Sequence, residues 1–316
     1  MKKKIQLVLF FLILGFAIYY FFQKGEELQK LKGLSIYQIG VASLVVLLSH
    51  SISGLKYKKL FKFFNVNLTV HECFGLPQIR KLGNLLFFKS GTLTNAYYLK
   101  TQHQLSYSKF IIAISILKFI QLFCLLLMTT ISCFYFYLFH GMPLFYTLSV
   151  FSLLAGLLFL FLFPQWKIPE WKPRYYKKIQ KLLDIWNDFK NNKFSVLMLI
   201  YLEILSIFAI GSRFYVAFHI LEQPVSFFFD CIVMSLIVSL TGFIGLVPGG
   251  LGIREIVVGL AAMYFDYSFD YGIIATSLDR ILSTLWFGIF GFIYFHFLHM
   301  KEYVKDSTLL SDSAAN

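Results

Sequence analysis

Long apolar runs dominate the chain, separated by short stretches where lysine, glycine or proline breaks the pattern. The first extends from Ile5 to Phe22, and the second from Leu34 to Leu55, where it meets Lys56, Lys58, Lys59 and Lys62. A less apolar stretch covers 70–100. Further runs follow at 110–139, 142–163, 194–220, 227–247, 252–265 and 271–297. An apolar run of about 18 residues or more can cross a ~30 Å hydrocarbon core as a helix. The pattern predicts an all-α fold: a polytopic membrane helical bundle with about six full spans and two further helix pairs.

Those two pairs come from the broken segments. The stretch 70–100 contains Gly75, Gly83, Gly91 and Lys89, and 227–266 is interrupted at Pro248-Gly249-Gly250. Both read as re-entrant elements or hairpins. Between Pro164 and Lys193, Tyr175, Ile179, Leu182, Leu183 and Trp186 recur at helical spacing with lysines between them. That is the pattern of an amphipathic helix at headgroup level. Basic clusters next to apolar runs mark cytoplasmic loops. They put both termini, the Lys56–Lys62 cluster and the 164–193 loop inside. The parity then closes only if 70–100 enters and leaves on the cytoplasmic side and 227–266 on the outer side. Two such elements entering from opposite sides outline an inverted pseudo-repeat. The expected organisation is one transmembrane domain over 1–305 and a disordered tail over 306–316, in the plasma (inner) membrane.

Composition supports this reading. The chain has 316 residues, 58% hydrophobic and 14% charged, with 38 Phe and 19 Tyr. A soluble domain carries about 25% charged residues. The net charge of +13 follows the span ends rather than one soluble face, so it points to anionic headgroups and not to nucleic acid. The N-terminal run lacks a small-residue cleavage site and reads as a retained span. Cys73, Cys124, Cys133 and Cys231 show no paired spacing and read as small buried hydrophobes.

Candidate chemistry lies in the polar groups kept inside the apolar segments. In Gly245-Leu-Val-Pro-Gly-Gly-Leu-Gly-Ile-Arg-Glu255, Pro248 ends one helix and the glycines permit a sharp reversal. A half-helix starting near Leu251 then turns its free N–H groups and positive dipole end inward, which suits a phosphate or carboxylate. Arg254 and Glu255 fall in its first turn, and Arg grips phosphate with paired hydrogen bonds. Glu203, Arg213, Asp279 and Arg280 also sit within apolar spans, where each needs a partner or a wet cavity. Glu203 and Arg213 share a face without being close enough to touch. Lys118 can snorkel to the interface. His296 and His299 lack a third ligand, and no cofactor motif occurs.

The run from Pro224-Val225-Ser226 through Val247-Pro-Gly-Gly-Leu-Gly-Ile-Arg-Glu255 to Asp279-Arg280 resembles the transmembrane region of lysylphosphatidylglycerol synthases and of free-standing flippase-like proteins sharing it. Arg280 occupies the family's second arginine position. The earlier Gly83–Lys100 segment is similar more loosely: Phe87-Phe88 stands where Pro-Gly is common, Lys89 replaces an Arg, and Thr92 replaces a Glu. No lysyl-transferring domain is present in the chain. The resemblance implies translocation of a polar, anionic or phosphate-bearing lipid rather than aminoacylation of lipid, and the chain is expected not to be an enzyme. Its headgroup would engage Arg254, Glu255, Arg280, Gly249, Gly250, Gly252 and Lys89, with Asp279, Glu203 and Arg213 in support. The competing readings are a membrane transferase acting on a polyprenyl-phosphate or lipid-linked sugar, and a non-transporting subunit of envelope-polymer synthesis. The expected partner is membrane lipid, together with a homo-oligomer or an envelope-biosynthesis protein.

Overall fold

The computed structural model describes residues 34–86, 89–140, 154, 173–222, 228–244 and 252–314. The expected span at 5–22, that at 142–163 apart from residue 154, and Gly249 and Gly250 lie outside the described residues. Nine helices are described: α1 (Ile36–Phe63), α2 (Val70–Leu86), α3 (Ser90–His103), α4 (Tyr107–His140), α5 (Pro173–Asn191), α6 (Lys193–Ile220), α7 (Phe228–Ile244), α8 (Ile253–Tyr264) and α9 (Phe269–Ala314). Four of them, α1, α4, α6 and α9, are long and apolar enough to cross a membrane.

Local chemistry sets several boundaries. Helix α1 begins at a capping box, in which Ser35 Oγ accepts from Gln38 N–H (3.2 Å) and Gln38 Oε1 accepts from Ser35 N–H (2.9 Å). It does not stop at the lysine cluster but continues through Lys56–Lys62 to Phe63. Helix α2 opens on a similar box, Glu72 Oε2 accepting from Thr69 N–H at 2.7 Å. The other oxygen of Glu72 receives Tyr98 Oη at 2.7 Å and meets His103 Nε2 at 2.9 Å, tying together the open end of the α2–α3 hairpin. Helix α9 continues to Ala314, well past the expected end of the last span. Each added residue brings one more backbone hydrogen bond, whereas only nucleation is costly.

Helices α1, α6 and α9 all touch one another and form the central trio. The α2–α3 hairpin leans on α1 and α9, the α7–α8 hairpin leans on α6 and α9, and α4 closes the side between α6 and α7. The amphipathic segment forms α5, whose Phe189 is buried with Ile185 and Trp186 packed beside it.

Both hairpins use α9, at opposite ends of its apolar stretch Phe269–Leu298. Helix α8 lies at Gly272, where an added Cβ would come within 2.8 Å of Gly259 Cα. Helix α2 lies near the far end, with Gly75 against Tyr294 and Leu82 against Gly291. Nineteen residues of helix separate Gly272 from Gly291, about 28 Å at 1.5 Å per residue.

Within the first hairpin, Gly83 lies inside α2 and Gly91 inside α3, so neither is the break between them. They form the helix-crossing contact instead: a Cβ on Gly83 would stand 2.6 Å from Gly91 N. Small residues allow two backbones to approach this closely.

Candidate site: a buried guanidinium–carboxylate network

Asp279, on α9, is almost fully enclosed, with a side chain 1% exposed. Its two oxygens take two different arginines. Arg213 Nε on α6 donates to Oδ1 at 2.6 Å, and Arg254 Nη2 on α8 donates to Oδ2 at 2.6 Å. Arg213 also reaches Ser49 Oγ on α1 at 3.2 Å. One carboxylate thus joins the central trio to the second hairpin.

The neighbouring Arg280 points elsewhere, because adjacent helix positions are about 100° apart. Its Nη1 donates to Glu255 Oε1 at 2.6 Å. Glu255 Oε2 accepts from the Gly252 N–H at 2.8 Å. Gly252 has φ +80°, a backbone geometry that favours glycine. The start of α8 is therefore satisfied from within, at least at that N–H. Adjacent Arg254 and Glu255 take a crossed arrangement: each pairs with one of the two neighbouring charges on α9.

The network contains three arginines and two carboxylates, so it carries one surplus positive charge. Its donors are also not fully used. Arg254 Nε is buried without a hydrogen-bond partner, while the guanidinium lies 5.8 Å from the centre of the Phe214 ring. A guanidinium offers five N–H donors. The arrangement can hold a further anion without giving up its existing ion pairs.

Glu203 is not part of this network. It pairs with Lys56 Nζ on α1 at 2.8 Å, and the same ammonium reaches Ser206 Oγ at 3.2 Å. Along α6 this layer lies ten residues from Arg213, about 15 Å of helix. That spacing accounts for the absence of contact between Glu203 and Arg213. Gly252 joins the network through its N–H, and Lys89 stands exposed at the turn of the first hairpin with φ +61°.

Sequence reading did not find Lys56, Ser49 or His50 as interior polar groups. Lys56 belongs to a cluster whose charge explains a span end, which conceals the one member turned inward. Ser49 and His50 lie in an apolar run and are both buried, the His50 Nδ1 without a partner. Isolated polar residues of this kind declare themselves only when the facing helix is known.

Comparison with known proteins agrees with the geometry. The family model described as the lysylphosphatidylglycerol synthase TM region matches residues 5–291. No curated protein and no solved structure gives a match. The matched stretch includes both hairpins and every member of the guanidinium–carboxylate network. The chain belongs to the lysylphosphatidylglycerol synthase transmembrane-region family, as a multi-pass membrane protein whose function is related to membrane lipid.

Proposed function

We propose that this protein moves a polar, anionic lipid across the membrane, its phosphate-bearing headgroup passing through the bundle interior between the two hairpins. One observation carries the reading: a buried network with more guanidinium than carboxylate, placed where α8 meets the central helices. A charged group inside a membrane bundle needs a partner or a function. Here the existing carboxylates leave one positive charge and a buried Arg254 donor to be met.

The helix lengths support re-entrant hairpins. Helix α8 has 12 residues, about 18 Å of rise against a ~30 Å core. Lys62, Lys109 and Lys193 lie near the ends of α1, α4 and α6 at one end of the bundle. By the positive-inside rule that end is cytoplasmic, with the first hairpin entering there and the second from outside. Rocking of the two hairpins about α9 would expose the interior to each side in turn.

This function requires no catalytic group. The transferase alternative is disfavoured because Asp279 and Glu255, its candidate bases, are both engaged by guanidinium groups. The test is leaflet exchange of fluorescent phosphatidylglycerol in proteoliposomes. Arg254→Ala and Arg280→Ala should each slow exchange roughly tenfold or more, the loss expected for one charge-assisted hydrogen bond. If correctly inserted variants exchange lipid at the wild-type rate, the network is not the headgroup path.

A further inference from the structure

A second cluster of cations lies outside the network, around a cavity of about 70 Å³ between α1, α2, α4 and α6. Its lining includes Lys56, Arg80, Lys81 and Lys118, against the single carboxylate of Glu203. That carboxylate is already taken by Lys56. Arg80 rests over the Tyr57 ring, 5.3 Å from its centre, and Lys118 Nζ reaches Gln121 Oε1 at 3.1 Å. Neither contact supplies negative charge. Lys81 has no carboxylate and no hydrogen-bond partner among the described residues, although it points into the same cavity.

Snorkelling accounts for Lys118, which is exposed. It does not account for Lys81 or Arg80, which are partly buried on the hairpin helix and face the interior. Three positive charges are left over once Lys56 is paired. A cavity of this size holds several waters at ~10–15 Å³ each, enough for one small tetrahedral anion. Tyr57, 2% exposed, also lines the cavity, its ring beneath Arg80.

We propose that this cavity is a phosphate site, filled by the headgroup phosphate of an anionic phospholipid and held by Arg80, Lys81 and Lys118, with Lys56 at its edge. The lipid source follows from the opening. Lys118 forms an exposed wall on α4, so a headgroup can enter sideways while its acyl chains remain in the bilayer. The site is distinct from the arginine network, about 15 Å away along α6. It stands whether or not the chain transports lipid, because it concerns binding at equilibrium.

The experiment measures binding to the purified full-length chain in detergent, with three probes: short-chain phosphatidylglycerol, inorganic phosphate and short-chain diacylglycerol. Saturable binding of phosphatidylglycerol but not diacylglycerol is expected. Arg80→Gln and Lys81→Gln should each weaken it roughly ten- to a hundredfold. Lys58→Gln, on the exposed face of α1, should not change it. Lys81→Met should also raise the melting temperature, since it removes a positive charge that has no partner until the anion binds.

Should Lys81 variants fail to fold, Lys118→Gln at the exposed wall gives the same reading with a smaller loss. Binding of inorganic phosphate alone would overturn the lipid source. No saturable binding by the wild type, or wild-type affinity in the Arg80 and Lys118 variants, would overturn the site. A chain that keeps this binding yet exchanges no lipid would count against transport and leave the phosphate site intact.

Discussion

At the scale of single residues, Asp279 is the most consequential side chain described. Two guanidinium groups from different helices depend on its two oxygens, at 2.6 Å each. Removing one partner of a buried ion pair costs about 3–5 kcal/mol, because the remaining charge is left uncompensated. Asp279→Asn should therefore lower the melting temperature in detergent more than Arg280→Gln does. Arg280→Gln leaves Glu255 its hydrogen bond from the Gly252 N–H. Equal effects would mean that water, not Asp279, solvates Arg213 and Arg254. All five charges of the network were legible in the sequence as polar groups inside the apolar segments. Their pairing was not. Adjacent Asp279 and Arg280 serve different partners, and adjacent Arg254 and Glu255 do the same, so chain proximity misleads at both places.

At the scale of elements, the hairpins carry the argument. The sequence places a break in 70–100 and assigns it to Gly83, Gly91 and Lys89. In the structure the two glycines instead bring α2 and α3 together, and Lys89 directly precedes the first residue of α3. Gly91 is the tighter of the two: a Cβ there would run into the backbone carbonyl oxygen of Arg80. Gly91→Val should destabilise the hairpin by roughly 1–3 kcal/mol or more, the usual range for overpacking. It should also displace Arg80, so that hydrogen exchange quickens across α2 and α3 together. An unchanged exchange pattern would mean that the two helices do not cross at this point. Helix α1 shows the opposite kind of error. Its apolar run ends at Leu55, but its backbone continues for two more turns because lysine is a good helix former. That extension brings Lys56 over Glu203.

At the scale of the whole molecule, the two hairpins reach α9 from opposite ends and leave the polar groups in two layers. One layer holds Lys56, Arg80, Lys81, Lys118 and Glu203, the other Arg213, Arg254, Arg280, Asp279 and Glu255. Together they contain seven cations and three carboxylates, an excess that suits an anionic guest over a zwitterionic one. The proposed topology has a direct check in single-cysteine variants, the native cysteines replaced by serine, labelled with a membrane-impermeant thiol reagent. Cysteines at Asn67, Ser106 and Asn192 should label from the cytoplasmic side, and at Tyr37 and Ser268 from the outside. A cysteine at Lys89 should not label from the outside if, as proposed, the first hairpin turns back before crossing. Outside labelling at Lys89 would convert that hairpin into two full spans.

The sequence alone determined the membrane character of this protein, its helical class and the rough position of the four described spans. Those properties follow from the length and periodicity of apolar runs, which are local. It also marked Arg254, Glu255, Asp279 and Arg280 as interior charges, because a charge in an apolar run is costly wherever the run packs. Tertiary structure decided which charge meets which, since an ion pair is fixed by the crossing of helices far apart in the chain: 25 residues for Arg254 and Asp279, 66 for Arg213 and Asp279, 147 for Lys56 and Glu203. It alone drew Arg80 and Lys81 from an unremarkable basic stretch into a cavity with Lys118, because only the packing of four helices shows that their charges are left without a carboxylate.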